Sequence, residues 1–215
     1  EEFTYDTLCI DGAPVYENVA EYLPRPLVAR TDEGCSPIIV TIKDLSEPRL
    51  TDGIALGRAV LGALGMGTGL THMEWYRKSD GEVVFGEIGC RPGGAHLVDQ
   101  MNFSHDGDLY RAWAQAVLGQ PVEPLPERQY ACAIIFKRAY GMGFVYKHEG
   151  LEAFLADYGE HVVWQGLSAI GAPRRDWRAT LVSDGFLVVR HSDQATTLRI
   201  ARAAADRVQL VAKED

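Results

Sequence analysis

The sequence has little of what several function classes need. No apolar run approaches the roughly 20 residues of a membrane-spanning helix, so no membrane association is expected. Basic residues are the minority, with 21 Lys and Arg against 30 Asp and Glu for a net charge of −9. A nucleic-acid partner calls for the opposite balance, so none is expected. Only four cysteines occur, and Cys9, Cys35, Cys90 and Cys132 show no C-x-x-C spacing. They read as reduced thiols of a cytoplasmic protein. His96, His105, His148, His161 and His191 lack H-x-x-x-H or related spacing, which leaves a histidine-based metal hydrolase without an anchor. Each of them reads as a satisfied surface or core residue. There is no internal repeat or low-complexity segment, and no secretory leader is expected. A strand-like pattern starts at Glu1, as expected of a piece cut from a longer fold.

What is present describes an ordinary globular chain. It has 215 residues, 47% hydrophobic and 24% charged, enough for one large domain or two small ones. Residues 3–22 alternate as two strands around Asp11-Gly12, a strong short hairpin signal, and Pro24-Arg25-Pro26 ends the pairing. Residues 27–50 read as loop around IIVTI. A helix is expected from an Asp52 cap, with Gly57 and Gly62 marking close packing. Further hairpins are expected around Ser79-Asp80-Gly81 and Asp184-Gly185. Helices are expected at 95–103, 108–118 and 151–158. A last one starts from an Asp193 cap, with Ala195, Leu198, Ala201, Ala205 and Val208 inward. The proline-rich stretch 120–126 is the linker candidate. The expected class is α+β: a mostly antiparallel sheet with helices packed on it over residues 1–120, and a small α+β domain over 121–215.

The chemistry concentrates in residues 69–95. If Asp80 and Gly81 form a two-residue loop, Glu74 falls directly opposite Glu87, with Cβ atoms about 5 Å apart. Like charges so placed repel unless a proton, a basic group or a cation intervenes. Two converging carboxylates are the hard oxygen ligands that Mg²⁺ or Mn²⁺ prefers. The inference depends on register, because a three- or five-residue loop would send the two glutamates to opposite faces. The bland reading is a solvent-facing edge softened by Arg77 and Lys78. Four residues after Glu87, Arg91 precedes Pro92-Gly93-Gly94. Glycines there let backbone N–H groups approach an anion, and the guanidinium adds a bidentate clamp.

The run H-M-E-W-Y-R-K-S-D-G-E-V-V-F-G-E-I-G-C-R-P-G-G resembles the metal-binding hairpin and following loop of the ATP-grasp superfamily, whose form is an acidic residue, a hairpin, then E-x-N-x-R. The resemblance implies the second half of an ATP-grasp fold. In it Glu74 and Glu87 hold Mg²⁺ (or Mn²⁺) between ATP phosphates, while Arg91 and His72 act catalytically at the transferred charge. The opening E-F-T-Y-D resembles the strand after the adenine hinge, placing Glu2, with Gly93 and Gly94, among the ATP-binding residues. The implied activity is ATP-dependent ligation of a carboxylate to an amine or thiol through an acyl phosphate. A biotin carboxylase-like carboxylase and a non-catalytic, degenerate domain are the alternatives. Implied partners are ATP and a small carboxylate, with a homodimer among the possible assemblies. Two departures stand out: the usual Asn is Gly89, and the family's phosphate loop and ATP-binding lysines are not in this sequence. The chain alone is therefore expected to bind ATP poorly.

Overall fold

The computed structural model describes residues 1–180 and 182–214. In chain order the elements begin with strands β1 (Glu2–Ile10) and β2 (Ala13–Leu23), helix α1 (Pro26–Ala29), strand β3 (Ile38–Thr41) and helix α2 (Thr51–Ala63). Strands β4 (Gly69–Arg77) and β5 (Val83–Gly89) and helices α3 (Leu97–His105) and α4 (Leu109–Val117) follow. Then come β6 (Ala131–Phe136), β7 (Phe144–Glu149), α5 (Leu151–Tyr158), β8 (Val162–Gln165), β9 (Phe186–His191), α6 (Gln194–Arg207) and β10 (Gln209–Lys213). The α+β class expected from the sequence is observed. No helix among the described residues is long and apolar enough to cross a membrane.

The chain forms two compact units, residues 1–21 with 41–129, and residues 22–40 with 130–215. In the first, neighbouring strands run β5-β4-β1-β2, joined by antiparallel ladders. Phe3, Tyr5, Val19, Met73 and Trp75 form a core with Ile54 and Leu61 of α2 on one sheet face. Phe3 stacks on Trp75 at 4.6 Å. Helix α2 approaches this closely because of two glycines. A Cβ on Gly53 would lie 2.2 Å from Trp75, and one on Gly57 would lie 2.3 Å from Tyr5. Gly62, also expected to mark packing, has nothing within 4 Å of that position.

In the second unit the strand order is β3-β6-β9-β8, with β10 and β7 as a separate pair. Helices α5 and α6 bury Phe154, Ile200, Ala201 and Ala204 against Ile38, Ile135, Leu187 and Val189. Asp193 caps α6 as expected, accepting the Thr196 N–H at 2.7 Å. The inward stripe is Thr197, Ile200, Ala201 and Ala204, so Ala195, two residues after the cap, is exposed.

Other expectations shift for identifiable reasons. Asp11 and Gly12 take φ 50° and 83°, the left-handed pair that the hairpin turn requires. Helix α2 starts at Thr51 without a side-chain cap because it continues a 3₁₀ turn over Pro48–Leu50. Asp52 lies in its first turn instead, where its charge favours the helix dipole. Helix α3 starts only at Leu97, since Ala95 and His96 are both left-handed. The hairpin expected around Asp184-Gly185 is absent among the described residues. FLVVRH is β9, but its partners are β6 and β8. Of RATLVS, 178–180 and 182–183 are not strand, and Leu181 lies outside the described residues. Buried Asp184 serves as an anchor, accepting the N–H of Ala139 and of Arg175.

Candidate functional site

The hairpin β4–β5 is not closed by a two-residue loop. The Lys78 N–H donates to the Glu82 carbonyl at 2.9 Å, so Ser79-Asp80-Gly81 is a three-residue turn with Gly81 at φ 91°. That register holds through Arg77↔Val83, Tyr76↔Val84 and Trp75↔Phe85. Carried further, it would put Glu74 and Glu87 on opposite faces. A bulge between Trp75 and Glu74 resets it, and Glu74 pairs with Glu87 after all. The inserted residue is Gly86, and a Cβ there would lie 2.7 Å from the Glu74 carbonyl oxygen. Only glycine lets the backbones approach so closely.

Two polar rows then cross the sheet on the face opposite the Phe3–Trp75 core. One is Glu87–Glu74–Thr4–Ala20, the other Gly89–His72–Asp6–Asn18. Glu87 is exposed at the open edge and Glu74 is half-buried. In the second row, His72 and Asp6 are buried, with Nδ1 and Oδ1 2.6 Å apart. The other Asp6 oxygen accepts from Thr4 Oγ1 at 2.7 Å and from Asn18 Nδ2 at 3.2 Å. His72 Nε2 points the other way, 3.9 Å from Glu74 Oε1. Burial works against a charged His72 ring, but the Asp6 hydrogen bond and charge outweigh it. Arg91 opposes them, Glu74 adds, and the pKa lies above the usual histidine value.

The loop after β5 closes on these rows. A Cβ on Gly93 would lie 3.4 Å from His72 Nδ1, whereas Gly94 stands in open space. Arg91 is exposed and donates to the Pro92 carbonyl at 3.0 Å. Its stem fills the space beside Gly89, where a Cβ would lie 3.2 Å from Arg91 Cγ. A larger residue at 89 would displace it. Glu2 is buried on the same face opposite Tyr76, one pleat from Thr4. Sequence reasoning missed Asp6, Asn18 and Gly86. The alternating Glu2, Thr4, Asp6 hinted at a polar face, but the Asp6–His72 contact spans 66 residues.

No family model and no curated protein matches the chain. Solved structures do. An L-amino acid ligase from Bacillus licheniformis superposes with a TM-score of 0.72 at 18% identity, over 100% of this chain and 54% of that one. Phosphoribosylglycinamide synthetase from Anaerococcus prevotii gives 0.75 at 11% identity, over 97% and 52%. The biotin carboxylase domain of Hydrogenobacter thermophilus 2-oxoglutarate carboxylase gives 0.61 at 13% identity, over 97% and 45%. That domain was solved as a dimer with MgADP, ADP and bicarbonate. All are ATP-grasp enzymes.

The chain has an ATP-grasp fold. It spans about half the length of the structures it matches. The donor set on its polar face suits a hard divalent cation: two carboxylates from paired strands, one exposed and one half-buried. Gly89 contributes no side-chain donor, so water or phosphate oxygens would complete the shell. No group of three or more His, Cys, Asp and Glu side chains gathers as a metal site among the described residues.

Proposed function

We propose that this chain supplies the metal- and phosphate-handling side of an ATP-dependent carboxylate–amine (or thiol) ligase. The first compact unit, residues 1–21 with 41–129, carries that work. Glu74 and Glu87 hold Mg²⁺ or Mn²⁺. Glu2, Gly93 and Gly94 line the nucleotide, with Glu2 toward the ribose hydroxyls and the glycine backbone toward phosphate. Arg91 swings from Pro92 to clamp the transferred phosphoryl group or the acyl phosphate. His72, oriented by Asp6, presents Nε2 to developing negative charge. When bound, the metal ion neutralises phosphate charge and aligns the transfer. The protein's share is positioning and electrostatics rather than a covalent nucleophile.

One observation carries this reading. The fold inserts a bulge glycine that places two like charges opposite each other, an arrangement that a cation held between them would stabilise. Calorimetric titration of ADP in Mg²⁺ or Mn²⁺, on this chain and on Glu74→Gln/Glu87→Gln, tests it. Weak nucleotide binding that needs the metal and disappears in the double variant is expected. Equal binding by both proteins, or binding indifferent to metal, overturns the assignment.

A further inference from the structure

The second unit carries a cluster of cations that the nucleotide reading does not use. Arg174, Arg175 and Arg178 fall within five residues of a chain whose net charge is −9. With Glu33, Met142, Gly143, Asp176 and Trp177 they line a cavity of about 420 Å³, within the size range of small-molecule sites.

The segment is built rather than loose. The Arg174 N–H donates to the Gly143 carbonyl and the Arg175 N–H to buried Asp184. The Arg174 guanidinium is held by the Gly141 carbonyl and by Glu33. Trp177 is buried, with the Arg138 guanidinium 4.4 Å and that of Arg178 4.7 Å from its ring. Such stacking fixes a guanidinium in place without using its N–H donors.

Arg178 consequently presents a positioned fork that makes no side-chain hydrogen bond or ion pair among the described residues. Arg175 makes one long bond, 3.4 Å to the Ser183 carbonyl. The neighbouring acids are engaged: Glu33 pairs with Arg174, and Asp176 accepts the Arg178 N–H at 2.9 Å. Two open forks on a pinned loop match a ligand with several anionic oxygens, each fork taking a pair.

We propose that this cavity binds a small, multiply charged anion whose oxygens are held by Arg175 and Arg178. Phosphate and carboxylate groups share that chemistry. Its lining shares no residue with the Glu74–Glu87 pair, and it stands or falls without them.

The test is calorimetric titration of the chain in metal-free, low-salt buffer with pyrophosphate in one arm and citrate in the other. Arg175→Gln, Arg178→Gln and Arg178→Lys are run alongside, with thermal midpoints to confirm folding. Both arginines are exposed, so the variants should fold. Saturable one-to-one binding of either probe is expected, weakened about tenfold or more by each Gln variant and by Arg178→Lys, which keeps the charge but loses the fork. The arm that binds more tightly identifies the oxygen class. No saturable binding of either probe overturns the proposal, as does binding that the three variants leave unchanged.

Discussion

His105 closes α3 and is 1% exposed, with neither ring nitrogen hydrogen-bonded. A satisfied histidine was the expectation from sequence. Instead the ring packs on Gly107, where a Cβ would lie 2.4 Å from Nδ1, and meets the Tyr16 ring edge-on at 5.4 Å. Burial, followed by the Arg128 charge, pushes its pKa down to about 4, against a smaller opposing pull from Asp106. An unfolded histidine titrates near 6.5. Above about pH 6.5 both states hold a neutral ring and nothing is lost. As pH falls from there toward 4, the unfolded chain takes up a proton that the folded chain refuses. Stability drops by ~1.4 kcal/mol per unit, about 3 kcal/mol in all, and the loss levels off below pH 4. Urea unfolding of the wild type and of His105→Phe, at steps between pH 7.5 and 4, reads this directly. Phenylalanine keeps a ring for Gly107 and Tyr16 but has no proton to take. Carboxylates and other histidines act in both proteins, so the difference isolates residue 105. The variant should match or exceed the wild type at neutral pH and gain about 3 kcal/mol on it by pH 4. A difference that stays flat across this range would refute a buried, neutral imidazole.

Three further outcomes are expected. Gly86→Ala brings a Cβ to 2.7 Å from the Glu74 carbonyl and 2.9 Å from the Tyr76 ring. It should cost on the order of 2 kcal/mol in urea unfolding and abolish metal-dependent nucleotide binding. Gly57→Ala, 2.3 Å from Tyr5, should lower the thermal midpoint through about 1–3 kcal/mol of overpacking while leaving the metal response intact. Asp193→Ala removes the 2.7 Å cap on Thr196 and should cost about 1 kcal/mol, read from the same melting curves.

Local signals in the sequence located most elements. Asp11-Gly12, the Asp193 cap and the 108–118 and 151–158 helices depend on neighbours a few residues away, and each occurs within a residue of where the pattern puts it. Non-local features stayed hidden. The β1–β4 ladder that brings Asp6 to His72 joins strands 66 positions apart, and nothing in either strand specifies the partner. Residues FLVVRH show why a turn signal can mislead: the strand forms, but its partners are chosen by the apolar faces of β6 and β8.

The hairpin at the candidate site is the most instructive case, because two errors in reading it cancel. The loop has three residues where two were expected, and a bulge adds the residue that restores the pairing. A fold optimised only for stability would have no use for either step. Opposed glutamates repel, a strand glycine loosens its ladder, and consecutive left-handed residues at Ala95 and His96 are strained. These three departures fall between residues 74 and 96, although bulges and left-handed residues also occur elsewhere, at Leu8/Cys9 and at Asp106 and Ser183. Breaches of local rules gather where a protein holds groups in place for chemistry. The bulge that sets the two glutamates opposite each other supports the nucleotide reading independently of any likeness to other proteins. It also explains why Gly86, a residue with no side chain to contribute, should matter to metal binding as much as either carboxylate.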